Sequence, residues 1–332
     1  MTALQELTAA APDTRGRHPR VGALVTIART LAGAAATVVA ASALIFVALS
    51  FAPGDPVARL LGARATEEAR AAKRAELGLD DPLLVRYWDW LTGAVQGDFG
   101  TSLTHRQDVV SLVGPRLETT VILVAMAATL LLVVGIALGI VGGVSARWRP
   151  LVGALAGLGI SVPTFVAASF LISIFAVQLG WFPTFGAGEG FSDRLYHLVL
   201  PAISLSITYG AYITQLTTAA VREESDKEHV LTSRGRGIPW SQIVRRHILR
   251  NAALPVMTAS GLAVAGLVAG AVVVEQAFAI DGVGSLLVRS IAGKDYPVVI
   301  AVSLIIVAGF VLVTTLIDVA QTLLDPRQRG DR

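Results

Sequence analysis

Apolar residues fall along this chain in long unbroken runs rather than in strand-like alternation. Six runs reach the roughly 20 residues that a helix needs to cross about 30 Å of hydrocarbon: 30–51, 117–144, 151–178, 198–221, 253–274 and 298–324. Only helices or closed barrels satisfy their backbone groups inside lipid, and runs of this length are helical. The pattern predicts an all-α membrane protein with six transmembrane helices. An even number of crossings puts both termini on the same side.

Between the first two runs, residues 52–116 carry shorter helical signals. "TEEARAAKRAELGL" has Thr66 at a cap position, acids in the first turn and Gly78 as a stop. "DDPLLVRYWDWLTGAV" places Leu83, Leu84, Tyr87, Trp88 and Leu91 at amphipathic spacing. This segment is expected to cap the outer ends of the spans, its aromatic rings at the membrane interface. The predicted organisation is a disordered tail (1–25), a transmembrane domain (26–329) with the outer segment 52–116 and a loop at 222–252, and a short tail (330–332).

Composition agrees with the runs. Over 332 residues, 54% are hydrophobic and only 15% charged, with a mean hydropathy of +0.66, more than a single soluble core requires. There is no cysteine, so no disulfide framework or thiolate metal site can exist. The 32 Gly and 14 Pro allow close helix approach and bending. GxxxG spacings at Gly135/Gly139, Gly153/Gly157 and Gly266/Gly270 suit contacts within the bundle or with a second membrane subunit.

Charge sets the orientation. With the N-terminus cytoplasmic, 16 of the 27 basic residues lie inside, in short loops and tails, and eight of the other 11 lie in the long segment after the first run. Cations concentrate in short cytoplasmic loops near span ends, so both termini are expected to be cytoplasmic. A cleaved signal peptide is the alternative for the first run, with basic residues before it and Ala41, Ser42 and Ala43 suiting a cleavage site, but the run is long for such an apolar core.

The search for catalytic chemistry returns negatives. The Gly293-Lys294 pair is followed by Asp295, not by the Ser or Thr of a phosphate loop. The histidines (His18, His105, His197, His229, His247) are scattered and show no metal-binding spacing. Ionisable residues near the runs are confined to Glu118, Glu275 and Asp318, so a proton relay lacks its usual groups. No catalytic, cofactor or metal residue, and no nucleic-acid partner, is expected.

The remaining anomaly is "EHVLTSRGRGIPWSQIVRRHILRNAALP", Glu228 to Pro255. Helix-compatible residues run to Arg234; Gly235-Arg236-Gly237-Ile238-Pro239 breaks the helix, and Pro239 suits the first turn of another. In that second helix Trp240, Ile243, Val244, His247 and Ile248 share one face, while Arg245, Arg246 and Arg250 take the other. Such a piece either lies on the lipid surface or docks into a partner's groove, and physics alone leaves the two open.

This loop resembles the "EAA" coupling loop of bacterial ABC-importer permeases, in the form found in the dipeptide/oligopeptide/nickel family. That form has a Thr-Ala-Arg-Ala-Lys-Gly core and then an Arg-His…Arg-Asn-Ala-x-x-Pro run. Here stand Thr232, Ser233, Arg234, Gly235, Arg236 and Gly237, then Arg246, His247, Arg250, Asn251, Ala252 and Pro255. "APGDPVARLLG" (52–62), "ELGLDDPLLVRYWDWLTGAVQGDFGTSL" (76–103), "LGWFPTFG" (179–186), "FAIDGVGSLL" (278–287), "KDYPVV" (294–299) and "LLDPRQR" (323–329) continue the likeness over residues 30–329. Two positions depart from it: Leu231 replaces an acidic or arginine residue, and Gly235 replaces an alanine, at a cost of roughly 0.5–1 kcal/mol in a helix.

The resemblance implies a type I ABC importer permease for di- and oligopeptides. Relatives that carry nickel, glutathione or other small solutes supply the alternative, and an ion-coupled secondary carrier is the rival of another class. It implies as partners a second permease chain, two ATP-binding subunits that hold ATP and magnesium, an external solute-binding lipoprotein and the lipid bilayer of the bacterial cytoplasmic membrane. It places coupling to the ATP-binding subunit at Glu228, Leu231, Thr232, Ser233, Arg234, Gly235, Arg236, Gly237 and Ile238, with Pro255 setting the start of the fifth span. The residues lining the pathway stay unassigned.

Overall fold

The computed structural model describes residues 19–52, Val57, Leu61, Gly62, 65–76 and 78–324. Most of the expected tails and of the "APGDPVARLLG" motif lie outside these residues, but the first helix already starts at Pro19, inside the 1–25 stretch expected to be disordered. The chain is a helical bundle, and among the described residues there is no strand beyond an isolated Thr101–Asp108 bridge. The long apolar helices are α1 (Pro19–Ser50), α4 (Val109–Val144), α8 (Val199–Ser225), α11 (Leu249–Ala277) and α13 (Tyr296–Leu324).

The third run is not one straight span. It forms α5 (Arg149–Ser161) and α6 (Thr164–Leu171), the latter continued by a π-helical stretch to Gln178, and the two arms bend by 102°. Pro163 explains the break. It cannot donate to the helical ladder, and its ring forces Val162 out of the helical region, to φ −87° and ψ 117°. At 1.5 Å per residue each arm reaches only about 20 Å, so neither crosses a bilayer alone. Among the described residues five helices are thus long and apolar enough to cross a membrane, and the bent pair makes a sixth crossing if its two arms form one span.

The bundle centre is built on glycine. Along α4, Gly135, Gly139 and Gly143 face α8 so closely that a Cβ on Gly139 would sit 2.4 Å from the Thr217 Cβ, and one on Gly143 2.6 Å from the Val221 Cβ. Thr214 and Thr218 donate across this seam to the carbonyls of Gly135 and Gly139, both at 3.2 Å. Tyr209 closes the α8–α11 contact in the same way, donating to the Gly266 carbonyl at 3.1 Å. Small residues let backbones approach and polar side chains join them, which is how helices associate where lipid removes the hydrophobic drive. Two of the three GxxxG spacings are therefore internal; Gly153 and Gly157 face open space.

Short helices finish the two ends. α2 (Glu67–Glu76) is capped as expected, the Ala69 amide donating to the Thr66 hydroxyl at 3.3 Å. α3 (Leu83–Val95) lies against α1, where Phe46, Tyr87 and Trp90 cluster and Ser42 bonds the Tyr87 hydroxyl at 2.9 Å. Its buried face differs from the expected one. Leu83, Tyr87 and Leu91 turn inward with Trp90, while Leu84 and Trp88 point outward. α7 (Phe191–His197) precedes α8, and α12 (Val283–Gly293) precedes α13.

Candidate functional site

The stretch from Glu228 to Pro255 forms two helices at an angle. α9 (Glu228–Gly235) ends in a Schellman turn: the Gly237 amide donates to the Arg234 carbonyl at 2.9 Å and the Ile238 amide to the Ser233 carbonyl at 3.3 Å. Gly237 sits at φ 71°, the left-handed region such a turn requires, and Ile238 follows as its apolar contact. α10 (Trp240–Ile243) then runs through a π turn at Val244–Ile248 into α11, giving one helix of 38 residues, Trp240–Ala277. The second short helix is thus the first part of the fifth span. Pro255 lies inside α11, six residues past its start, rather than at a helix boundary.

Beneath this turn is a small apolar core. Val230 from α9, Ile243 and Ile248 from the continuous helix, Val221 from α8 and Ala252 from α11 are all buried, with Ile140 and Val144 of α4 against them. The expected face of the second helix holds for Ile243 and Ile248, whereas Trp240 is exposed and lies under the Arg234 guanidinium, 4.0 Å from ring centroid to charge. A cation–π contact of this kind contributes about 0.5–1 kcal/mol at an exposed site and here braces the bend.

One buried carboxylate ties the three helices together. Glu224, near the end of α8 and 4% exposed, accepts from the Lys227 ammonium at 2.5 Å and the Asn251 amide at 2.7 Å, and His229 lies 3.2 Å away. The carboxylate holds the Lys227 ammonium above its ordinary pKa. Glu224, Asn251 and Trp240 were not among the expected site residues. The signal for Glu224 is its three-residue spacing from Lys227 across the end of α8.

Every candidate except Pro255 therefore falls on one compact feature, α9 and its turn. Glu228, Leu231, Thr232, Arg234, Gly235, Arg236 and Gly237 are exposed; Ser233 is half-buried, its hydroxyl bound to the His229 carbonyl at 2.8 Å; Ile238 is half-buried in the core beneath. Leu231 is 57% exposed, an apolar side chain presented by a helix pinned from behind. Arg234 is engaged with Trp240 rather than free.

The opposite end of the bundle carries two further buried carboxylates. Glu275 of α11, fully buried, accepts from the Thr120 hydroxyl at 2.5 Å and from the Ser285 amide at 2.9 Å. Gly282 and Gly284 make the cradle: a Cβ at Gly282 would come within 2.2 Å of the carboxyl carbon, and one at Gly284 within 2.5 Å of the Val272 Cα. This accounts physically for the glycines of "FAIDGVGSLL". Asp295, 1% exposed, accepts from the Ser102 hydroxyl at 2.6 Å and from the amides of Leu103 and Thr104, both at 3.0 Å. It joins "GDFGTSL" to "KDYPVV". Among the described residues no group of His, Asp and Glu is arranged to hold a metal.

Comparison of the sequence with known proteins identifies its family. The sequence model of the binding-protein-dependent transport system inner membrane component matches residues 118–330, and that of the N-terminal part of such membrane components matches residues 24–124. The chain is 34% identical over 314 residues to a "Probable peptide ABC transporter permease protein", y4tP, of Sinorhizobium fredii, covering 92% of this chain and 99% of that one. It is 34% identical over 305 residues to the "Glutathione transport system permease protein GsiC" of Shigella flexneri and of Escherichia coli K12, covering 91% of this chain and 98% of each relative. The chain belongs to the family of inner-membrane components of binding-protein-dependent transport systems, and is a multi-pass protein of the bacterial inner membrane.

Proposed function

We propose that this chain is a permease subunit that forms half of the pathway of an ATP-driven peptide importer, and that α9 receives the force of ATP hydrolysis from a partner. In this reading the partners are a second permease chain, two ATP-binding subunits that hold ATP and magnesium, and an external solute-binding protein. Both termini and α9 face the cytoplasm. The relatives named for peptide and for glutathione transport support a substrate class of short peptides, with glutathione, itself a tripeptide, as the specific alternative.

The observation that carries the reading is mechanical. A lever must be rigid where it is pushed and continuous with what it moves. α9 is packed down by Val230 and the Glu224–Lys227–Asn251 cluster beside it, and its Schellman turn leads through α10 into α11. Its outward face offers Leu231 and Thr232 to a partner.

The test is Leu231→Glu combined with Thr232→Glu, in cells that carry the whole transporter. Burying an unpaired charge in an interface costs on the order of 2–5 kcal/mol. The expected result is normal membrane insertion with the ATP-binding subunits lost on purification, or with hydrolysis that no longer responds to the loaded binding protein. A double variant that imports at the wild-type rate overturns the reading. Gly237 is unsuited to this test, because its positive φ makes any side chain there a folding lesion.

A further inference from the structure

α8 is the least apolar of the long helices, and it carries polar groups where lipid would penalise them. Tyr212 is its midpoint, 44% exposed, and Gln215 lies one turn further on and is also exposed. Neither has a hydrogen-bond partner among the described residues, whereas Tyr209, Thr214 and Thr218 on other faces donate to carbonyls of neighbouring helices, and Thr208, on the same face one turn earlier, donates to the Val162 carbonyl at the break between α5 and α6. Gln215 lies about 10 Å of helix rise before Arg222, the first charged residue of α8. An amide facing hydrocarbon without a partner costs several kcal/mol. The stripe Tyr212, Gln215, Ala219 then runs into a cleft of about 500 Å³ between α8 and α5, bounded by Arg149, Gly153, Arg222 and Glu223.

We infer that the Tyr212–Gln215–Ala219 face of α8 lines the water-filled passage for solute, and that Tyr212 and Gln215 are contacts for the peptide backbone of that solute. This rests on the importer reading above. A phenol and a primary amide both donate and accept, so they match an amide N–H and C=O whatever the adjacent side chains are. Along α8 itself no ionisable group comes before Arg222, and the cleft that Gln215 lines carries charge at its far end, at Arg149, Arg222, Glu223 and Asp226. A passage so lined suits neutral backbone chemistry and leaves charge selection to the protein that delivers the solute.

The absence of native cysteine makes the test direct. Single variants Tyr212→Cys, Gln215→Cys and Ala219→Cys, with Val133→Cys and Leu312→Cys as controls at exposed apolar positions, are assembled with the partner subunits in membrane vesicles. The variants are treated with a charged, water-soluble thiol reagent, with and without trialanine or glutathione and the binding protein. The expected result is labelling at least ten-fold faster at the three α8 positions than at the controls, slowed when a transported peptide is present. Labelling at the control rate, whether lipid or another subunit covers the face, overturns the proposal. So does fast labelling at all three positions that neither peptide slows in vesicles that import it. Gln215→Leu adds a functional arm: KM for uptake is expected to rise about five-fold, the equivalent of one hydrogen bond of about 1 kcal/mol, with the maximal rate unchanged. An unchanged KM overturns the backbone contact. Labelling needs no ATP, so it fails independently of the coupling between α9 and hydrolysis.

Discussion

Two glycines two residues apart in α9 and its turn differ in kind. Gly235 is helical with open space where a Cβ would go, whereas Gly237 holds the left-handed turn. Gly235→Ala is expected to stabilise by about 0.5–1 kcal/mol and to leave transport intact, while Gly237→Ala is expected to destabilise by about 1 kcal/mol or more. Thermal unfolding of the purified complex in detergent distinguishes the two. The spacing of these glycines was visible in the sequence, but their difference was not, because backbone dihedrals are set by the turn that the whole segment adopts. At the other end, Asp295→Ala strips three donors of their acceptor, two of them backbone amides. It is expected to cost about 1–3 kcal/mol per donor left unsatisfied, seen as reduced amounts of chain in the membrane. Asp295→Asn, which keeps one acceptor oxygen, is expected to recover part of that loss.

Among the helices, length and apolarity located the continuous spans but missed three features. The 102° break in the third span follows from a single Pro163 inside a run whose hydropathy alone looks continuous. The start of the fifth span was placed near Pro255, yet the helix begins at Trp240, because a π turn absorbs the register change and Pro255 is tolerated within the helix. The inward face of α3 shifts because Trp90 stacks with Phe46 and Tyr87, a long-range contact that periodicity cannot reveal. Of the candidate site, the helix α9 and the turn after it were legible as local structure. What stayed hidden was the support behind it, since Glu224 and Asn251 are 27 residues apart and meet only in the fold. Glu224→Ala is expected to free α9 without unfolding the bundle. Trypsin cleavage at Arg234 and Arg236 in open membranes should rise about ten-fold or more, because loss of a buried charged partner costs about 1–3 kcal/mol locally.

For the molecule as a whole, charge distribution and helix packing bear on different questions. The asymmetry of basic residues predicts that reporter fusions at Gly97 and Gly188 read as external and those at Arg149 and Arg236 as cytoplasmic. A cytoplasmic signal at Gly97 would reverse the orientation and put α9 on the wrong side for ATP-driven coupling. The packing says which surfaces are spoken for. α4, α8 and α11 hold each other through glycine seams, while the Gly153/Gly157 face of α5 remains open.

The Asp295 clasp also bears on how the chain is made. Its partners, Ser102 to Thr104, leave the ribosome about 190 residues before the carboxylate that satisfies them, so the outer segment waits through the synthesis of four hydrophobic passages. Until Asp295 is delivered, the Ser102 hydroxyl and the Leu103 and Thr104 amides lack that acceptor. A chain truncated before Asp295 is therefore expected to be degraded faster in the membrane than the full-length chain, which a pulse-chase comparison checks.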